Sequence, residues 1–419
     1  MLLRKNIKYL KLICTLVLFL FFLLLGKQTA AEKSTQVNPD ADIARSSLNI
    51  KKYGAIGDGV SDDTVSIQDA FNELANGQSL YFPPGNYKIN DTLQFYGKQN
   101  IGIIGHEAKI IMTNNTKNIM RLGNGAGGAS IRYHISGLDI NGGSTSGYAI
   151  GVDTGGGTYM QNCIIQDCQI YNCNTGIYLG GDYNVILNNT FESCTKAGIL
   201  NDCSSYALIE GNTFKTCFNS INLQLPYYNE VLNNHVIESS NFGILVGGTA
   251  KSEVHCLIAN NIILGANNLV VKGLTGIWIV AGVGKVEINN NLVAYCGQHG
   301  IKSLGNDVSI ISNRCYNNNV SGIIVDNCSR NSLIGNKCYD NGHDGIDIVN
   351  RGSNHLILNN QCYDDQMRKT QGYGLVIAAT QFGCLVQGNE FLNNKLDGVS
   401  DGTYNHSKIN YSFNVDGRT

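Results

Sequence analysis

The sequence predicts an all-β protein: a single-stranded right-handed parallel β-helix, a solenoid of about ten or more coils with a short N-terminal capping helix. Three observations carry this. A Gly-Ile-like step recurs at Gly176-Ile177, Gly198-Ile199, Ser220-Ile221, Gly243-Ile244, Gly276-Ile277, Gly300-Ile301, Gly322-Ile323, Gly345-Ile346, Gly374-Leu375 and Gly398-Val399, mostly at intervals of roughly 22–24 residues. An Asn that closes a short apolar run keeps phase with it, at Asn189, Asn212, Asn234, Asn261, Asn291, Asn313, Asn336, Asn360 and Asn389. The composition, 49 Gly against 4 Pro with a net charge of −2, suits a repetitive fold of tight turns. It leaves neither the basic footprint of a nucleic-acid binder nor the high charge of a disordered chain.

Each element then follows in order. Residues 1–31 read as a secretory signal: Arg4, Lys5, Lys8 and Lys11 precede the apolar run Leu12–Leu25, and Thr29 and Ala31 stand before a cleavage point. The run is shorter than the ~20 residues that span a bilayer, so secretion is expected rather than an uncleaved anchor. A polar linker covers 32–47. Residues 48–95 form the N-terminal cap and first coils. There Ser61, Asp62 and Asp63 offer N-cap oxygens to a helix whose apolar face is Ile67, Ala70, Phe71 and Leu74, with Gly77 as the stop. "SLYFPPGNYKI" is a strand, a turn and a second strand. The helix closes the open end of the stack, as a solenoid's terminal coil requires.

Residues 96–400 are the β-helix proper, and 401–419 a C-terminal coil and tail. A coil this small cannot bury its own apolar face; stacking places equivalent residues about 4.8 Å apart, like upon like. The hand is right because parallel crossovers almost always are. Two residues past each marker Asn stand Phe191, Phe214, Val236, Ile263, Val293, Cys315, Cys338, Cys362 and Phe391, an inward column. The Asn column itself can form an amide ladder. The chain has 14 Cys, all but Cys14 beyond the signal. Their recurrence in the repeat favours stacked, buried thiols over a disulfide framework.

"YGAIGDGVSDDTVSIQDAF" followed by "LYFPPGNYKI" resembles the N-terminal segment of the rhamnogalacturonase/epimerase-like pectate-lyase superfamily. The resemblance covers about forty residues directly, and the later coils are similar to the generic repeats of that group. It implies a right-handed parallel β-helix and lysis, epimerisation or hydrolysis of acidic polysaccharides. "DGIDI" (Asp344–Ile348) also resembles part of the Asn-Thr-Asp-Gly-Ile-Asp motif of polygalacturonase-type hydrolases. The departures are plain. The next coil, "RKTQGYGLVI", lacks the Asp pair, and "GQHGIKSLG" (Gly297–Gly305) precedes the Asp stretch where a Gly-His-Gly element should follow it. The Asp-Pro-His-Glu motif of the epimerase branch is absent from "CNTGIYLGGDYN".

Strand alternation turns the residue after Gly inward and the next outward. The outward column is Tyr178, Leu200, Asn222, Leu245, Trp278, Lys302, Ile324, Asp347, Val376; a second, two residues on, includes Asp202, Gln224 and Asp326. Residues before the Gly include His299, Ser321, Asp344 and Tyr373. Catalytic candidates are therefore Asp347, Asp326, Asp344, His299, Tyr373 and Lys302. Asp326 and Asp347 stand roughly 8 Å apart by strand spacing, suiting an inverting hydrolase. Tyr373 or His299 suits the base of a lyase or epimerase, and Lys302, Arg351 or Arg368 its charge stabiliser. Substrate-binding candidates are Trp278, Asn222, Gln224, Tyr178, Arg351 and Arg368. Each has an ordinary reading, since a polar residue beside a repeat Gly is often turn chemistry; this applies to His299 and His343 in particular. No His/Cys spacing specifies a metal, although Asp and backbone oxygens can hold calcium. The expected partner is a polysaccharide, not nucleic acid or a membrane, and no pattern specifies an oligomer. The alternative is a non-catalytic β-helix that binds glycan or acts as a surface spacer.

Overall fold

The computed structural model describes residues 47–419, except 124–128, 153–158, 203, 249–251, 266–272, 404–408 and 413–419. The signal expected at 1–31 and nearly all of the 32–47 linker lie outside the described residues. The described chain is a right-handed parallel β-helix built around one 38-stranded sheet. A typical coil contributes a strand to each of three faces. The first face runs from Val185–Leu187 through Leu208–Glu210 and onward to Cys384–Gln387 and Ile409–Ser412. The second runs from Thr190–Glu192 to Glu390–Leu392. The third runs from the end of Gln169–Leu179 to Asp397–Asp401.

The repeat markers become columns. On the third face Ile177, Ile199, Ile221, Ile244, Ile277, Ile301, Ile323, Ile346, Leu375 and Val399 pair rung to rung. All but Val399 are fully buried, and each such Ile contributes about 1.5–3 kcal/mol. The glycine before them is needed for space: a Cβ on Gly322 would lie 2.8 Å from Gly345 O and 3.0 Å from Cys338 Cβ. On the second face Phe191 stacks on Phe214 at 4.9 Å, and Cys315, Cys338 and Cys362 stand in register. The described cysteines are all free and buried, so these thiols fill core space.

The marker asparagines line the turn between the first and second faces. From Asn189 to Asn389 each side-chain amide donates to the carboxamide oxygen of the next, at 2.9–3.1 Å. Each also donates to a core carbonyl, as Asn261 does to Val231 O at 2.9 Å. The residue just before each takes a left-handed conformation, as at Asn233 and Asn260; Asn and Gly tolerate this at least cost.

At the N-terminal end the helix Thr64–Glu73 buries Ile67, Ala70 and Phe71, and Leu74 follows them into the core. Phe71 stacks on Phe95 at 4.5 Å, and Gln68 Oε1 accepts the Gln94 amide at 2.7 Å, tying the helix to the edge of a coil. Two details differ from the sequence reading. Asp63 occupies the N-cap position, but its carboxylate accepts the Ile56 and Gly57 amides instead of capping the helix; Asp62 accepts the Thr64 amide. The helix also ends at Glu73, before Gly77, because Leu74 turns extended into the core.

Candidate active site

The outward row of the third face is as the alternation requires. Tyr178, Leu200, Asn222, Leu245, Trp278, Lys302, Ile324, Asp347 and Val376 are rung-to-rung partners. Two groups of candidates sit at different heights along it. At the N-terminal end, the Tyr178 hydroxyl donates to Asp202 Oδ2 at 2.6 Å, and Gln224 Nε2 donates to Asn222 Oδ1 at 2.7 Å. Further along, Trp278 packs edge-on against Phe242 at 4.9 Å, and Lys302 Nζ lies 5.0 Å from its ring centroid. Trp278 Nε1 is buried without a hydrogen-bond partner among the described residues.

Beyond Lys302 three coils bring a compact polar cluster together. Ser321 comes from the first, His343, Asp344 and Asp347 from the second, and Tyr373 from the third. Asn341, in a second amide ladder with Asn318 and Gln371, fixes the turn from which His343 projects. The His343 amide donates to Val320 O at 3.0 Å. His343 is two-thirds exposed, and its Nδ1 lies 2.6 Å from Asp344 Oδ2 and 3.9 Å from Asp347 Oδ2. Both carboxylates are buried. Asp344 Oδ1 accepts the Tyr373 amide at 2.6 Å, and the Ser321 hydroxyl donates to Asp347 Oδ2. Asp347 Oδ1 has no partner among the described residues. Burial, and then the Asp344 charge, hold the Asp347 carboxyl well above the usual carboxylate range.

The arrangement assigns roles. A buried carboxylate at Nδ1 puts the imidazole proton on that nitrogen, leaving Nε2 as the proton acceptor. A neutral Asp347 is a proton donor beside it. The ligand-type atoms of His343, Asp344 and Asp347 all lie within 4.8 Å of one another, which makes them the one such group among the described residues able to share a metal ion.

Several sequence-based roles change. Asp347, expected on the open face, is buried: outward from the core is not the same as exposed, and His343 and Ser321 crowd it. Asp326 is half-buried and accepts the Asn350 side-chain amide at 2.6 Å. The open carboxylate pair of an inverting hydrolase is therefore not built. Tyr373 joins through its backbone amide. His299 is no ready base: burial, then the charges of Lys302 and His343, push it down to about 4, while Asp326 pulls the other way. Arg351 and Arg368 are exposed in the turns on either side of the Leu356–Leu358 and Gln361–Tyr363 strands. His343 has, taken singly, the ordinary reading of a turn residue, and the His-Asp-Gly-Ile-Asp stretch raises it as an acid or base beside Asp344 and Asp347; Ser321 stands in the sequence only as one of the residues before a repeat Gly.

The buried titrating groups give a signed expectation. His299 and His355, both pushed to about 4 from an ordinary 6.5, bind fewer protons folded than unfolded between those values, so stability rises with pH there. Asp347 has the opposite sign: it holds its proton when folded, so stability falls as pH climbs from the ordinary carboxylate range to its raised value. Below the imidazole value the two imidazoles oppose Asp347 and, at the acid end, Asp340, whose carboxyl burial also raises; above it Asp347 dominates. The thermal midpoint should therefore peak close to pH 6.5, the ordinary imidazole value, and Asp347→Asn should flatten the alkaline limb and steepen the acid one. Thermal melts across pH check both.

This geometry is that of a β-helix protein with a polar cluster on one wall. The chain belongs to the right-handed β-helix family, whose profile matches residues 89–293 and 255–415. The profile for rhamnogalacturonase A/epimerase, pectate lyase-like, matches residues 47–111. A mannuronan C5-epimerase, AlgE6 of Azotobacter vinelandii, is 50% identical over 44 residues, 10% of this chain and 5% of that protein. The chain thus matches only a small part of that relative's sequence. The solved A-module of AlgE6 superposes with TM-score 0.60 at 17% identity, covering 88% of this chain and 98% of the module. The tailspike protein of E. coli bacteriophage HK620 in complex with a pentasaccharide superposes with TM-score 0.60 at 11% identity, covering 86% of this chain and 79% of the tailspike.

Proposed function

We propose that this chain is a secreted enzyme that removes a proton beside the carboxylate of an acidic, uronate-containing polysaccharide lying along the third face. The carrying observation is the clamp of the exposed His343 by buried Asp344 at 2.6 Å. His343 Nε2 takes the proton α to the carboxylate, Lys302 offsets the charge that develops on that carboxylate, and Trp278 supplies an apolar surface for a sugar ring. Elimination follows if the 4-linked oxygen leaves with a proton, and epimerisation if a proton returns from the other side of the ring. Hydrolysis fits less well, since it asks for two accessible carboxyl groups flanking the scissile bond. The similarity to a mannuronan epimerase module and to a tailspike holding a saccharide supports a polysaccharide substrate. Export through residues 1–31 would bring the enzyme to such polymers.

The test is incubation of the mature chain with alginate, polygalacturonate and pectin, with calcium or with a chelator. Absorbance of new double bonds, reducing ends and proton NMR of C5 configuration are followed. Unsaturated ends or inverted C5 centres are expected. Binding with no turnover on all three would replace the enzymatic reading with the non-catalytic, glycan-binding one.

A further inference from the structure

The turn that enters each first-face strand holds one residue in the left-handed conformation, and these residues stack as an outer edge column. Along most of the column they are small or charged: Asn162, Lys285, Asp307, Arg330 and Asn354. Four consecutive rungs depart from this. Tyr183, Tyr206, Tyr228 and His255 occupy the position, with φ between 51° and 61°, a conformation that bulky side chains rarely adopt. All four are exposed, the tyrosines by 45–49%. Their rings stack at 4.8, 5.2 and 5.0 Å with planes within 7° of parallel. The core does not need these rings, since each lies outside the wall.

The stack stops at His255, because the next rung carries Lys285. There the surface drops into a cavity of about 420 Å³ lined by His255, Leu257, Lys285, Glu287, Asp307 and Ser309. That size is within the range of small-ligand sites. Lys285 is committed to Glu253 at 2.7 Å, and Asp307 to Arg330 at 2.6 Å. The groups left to meet a ligand are a flat imidazole face, the Leu257 side chain, a hydroxyl and the Glu287 carboxylate.

We propose that this edge is a second carbohydrate-binding site, in which a neutral pyranose packs against the exposed His255 imidazole where the aromatic column ends. The apolar C–H face of a pyranose matches an aromatic plane, and its hydroxyls donate to Glu287 and pair with Ser309. Charge selects the class: the uncommitted carboxylate repels a uronate, whereas Lys302 attracts one in the groove. The edge site would therefore hold a neutral glycan while the third face works on an acidic one. It does not depend on the groove being catalytic.

The experiment titrates the mature chain with neutral gluco-, galacto-, manno- and xylo-oligosaccharides and with oligouronates, reading affinity by calorimetry and the His255 imidazole resonances by NMR. At least one neutral series should bind and shift those resonances. His255→Ala should weaken that binding several-fold, up to about tenfold, for loss of an aromatic stacking face, and Glu287→Gln should weaken it less. Any turnover of uronate polymers should be unchanged in both variants. The proposal is overturned if no neutral saccharide binds, if His255→Ala binds as tightly as the parent, or if oligouronates are the preferred occupants of the cavity.

Discussion

Substituting His343→Gln should lower turnover of the uronate polymer roughly 10²–10⁴-fold, the range expected when a positioned general base is lost. The side chain is two-thirds exposed and the Gln amide can still donate to the buried Asp344 carboxylate, so the thermal midpoint should fall little. That separation matters, because a structural residue would lose both. Asp344→Asn tests the same dyad from beneath. It keeps the shape but removes the buried charge that holds the Nδ1 proton, so the imidazole is no longer fixed in the productive tautomer. Turnover should fall, because the side-chain amide no longer holds the imidazole in that orientation as the carboxylate does. Full activity in His343→Gln would remove this residue from the chemistry and require another group as the base.

The largest stability effect is expected inside the amide ladder. Asn261 donates to Val231 O, Ala259 O and Asn291 Oδ1, and its own oxygen accepts both the Asn234 backbone amide and the Asn234 side chain. Asn261→Ala strands several of these groups in the core at once. With about 1–3 kcal/mol for each buried group left unsatisfied, and some relaxation, the loss should reach on the order of 3–5 kcal/mol. Asn233 is the control: it sits in the same turn but its side chain reaches outward to Glu210 at 2.9 Å in an exposed pair. Asn233→Ala should cost only about 1 kcal/mol, chiefly for placing Ala in a left-handed conformation. Chemical denaturation measures both. Hydrogen exchange should show the Asn261→Ala damage centred on the coils carrying Asn234, Asn261 and Asn291, because coils interact mainly with their neighbours. Equal losses for the two variants would mean that the ladder contributes no more than the turn.

The scaffold was legible because its signals repeat. The Ile that follows each Gly is placed inward in one coil after another, so a single register reading orders a whole wall from Ile177 to Leu375. The chemistry was legible only as a neighbourhood. Strand alternation puts Lys302 and Asp347 in one outward row, but the contacts of His343 are ones no periodicity announces. Its partner Asp344 is held by an amide from a coil that a longer insertion displaces in sequence, and Asp347 is held by a serine from the coil before. Asp347 shows the limit most clearly. Alternation gives the direction of a side chain, not what leans over it. The helix cap failed for a related reason: Ser61, Asp62 and Asp63 are equivalent by type, and only the loop at Ile56 and Gly57 decides which carboxylate is drawn away.

Stacking by nearest neighbours also separates reach from reactivity. A coil duplicated upstream of Trp278 would lengthen the wall along which a polymer lies, yet leave Lys302, Ser321 and the His343–Asp344 pair in their mutual positions. Descendants of this chain can thus acquire longer or shorter tracks by gaining or losing whole turns of the spiral, with the His343–Asp344 pair carried along intact.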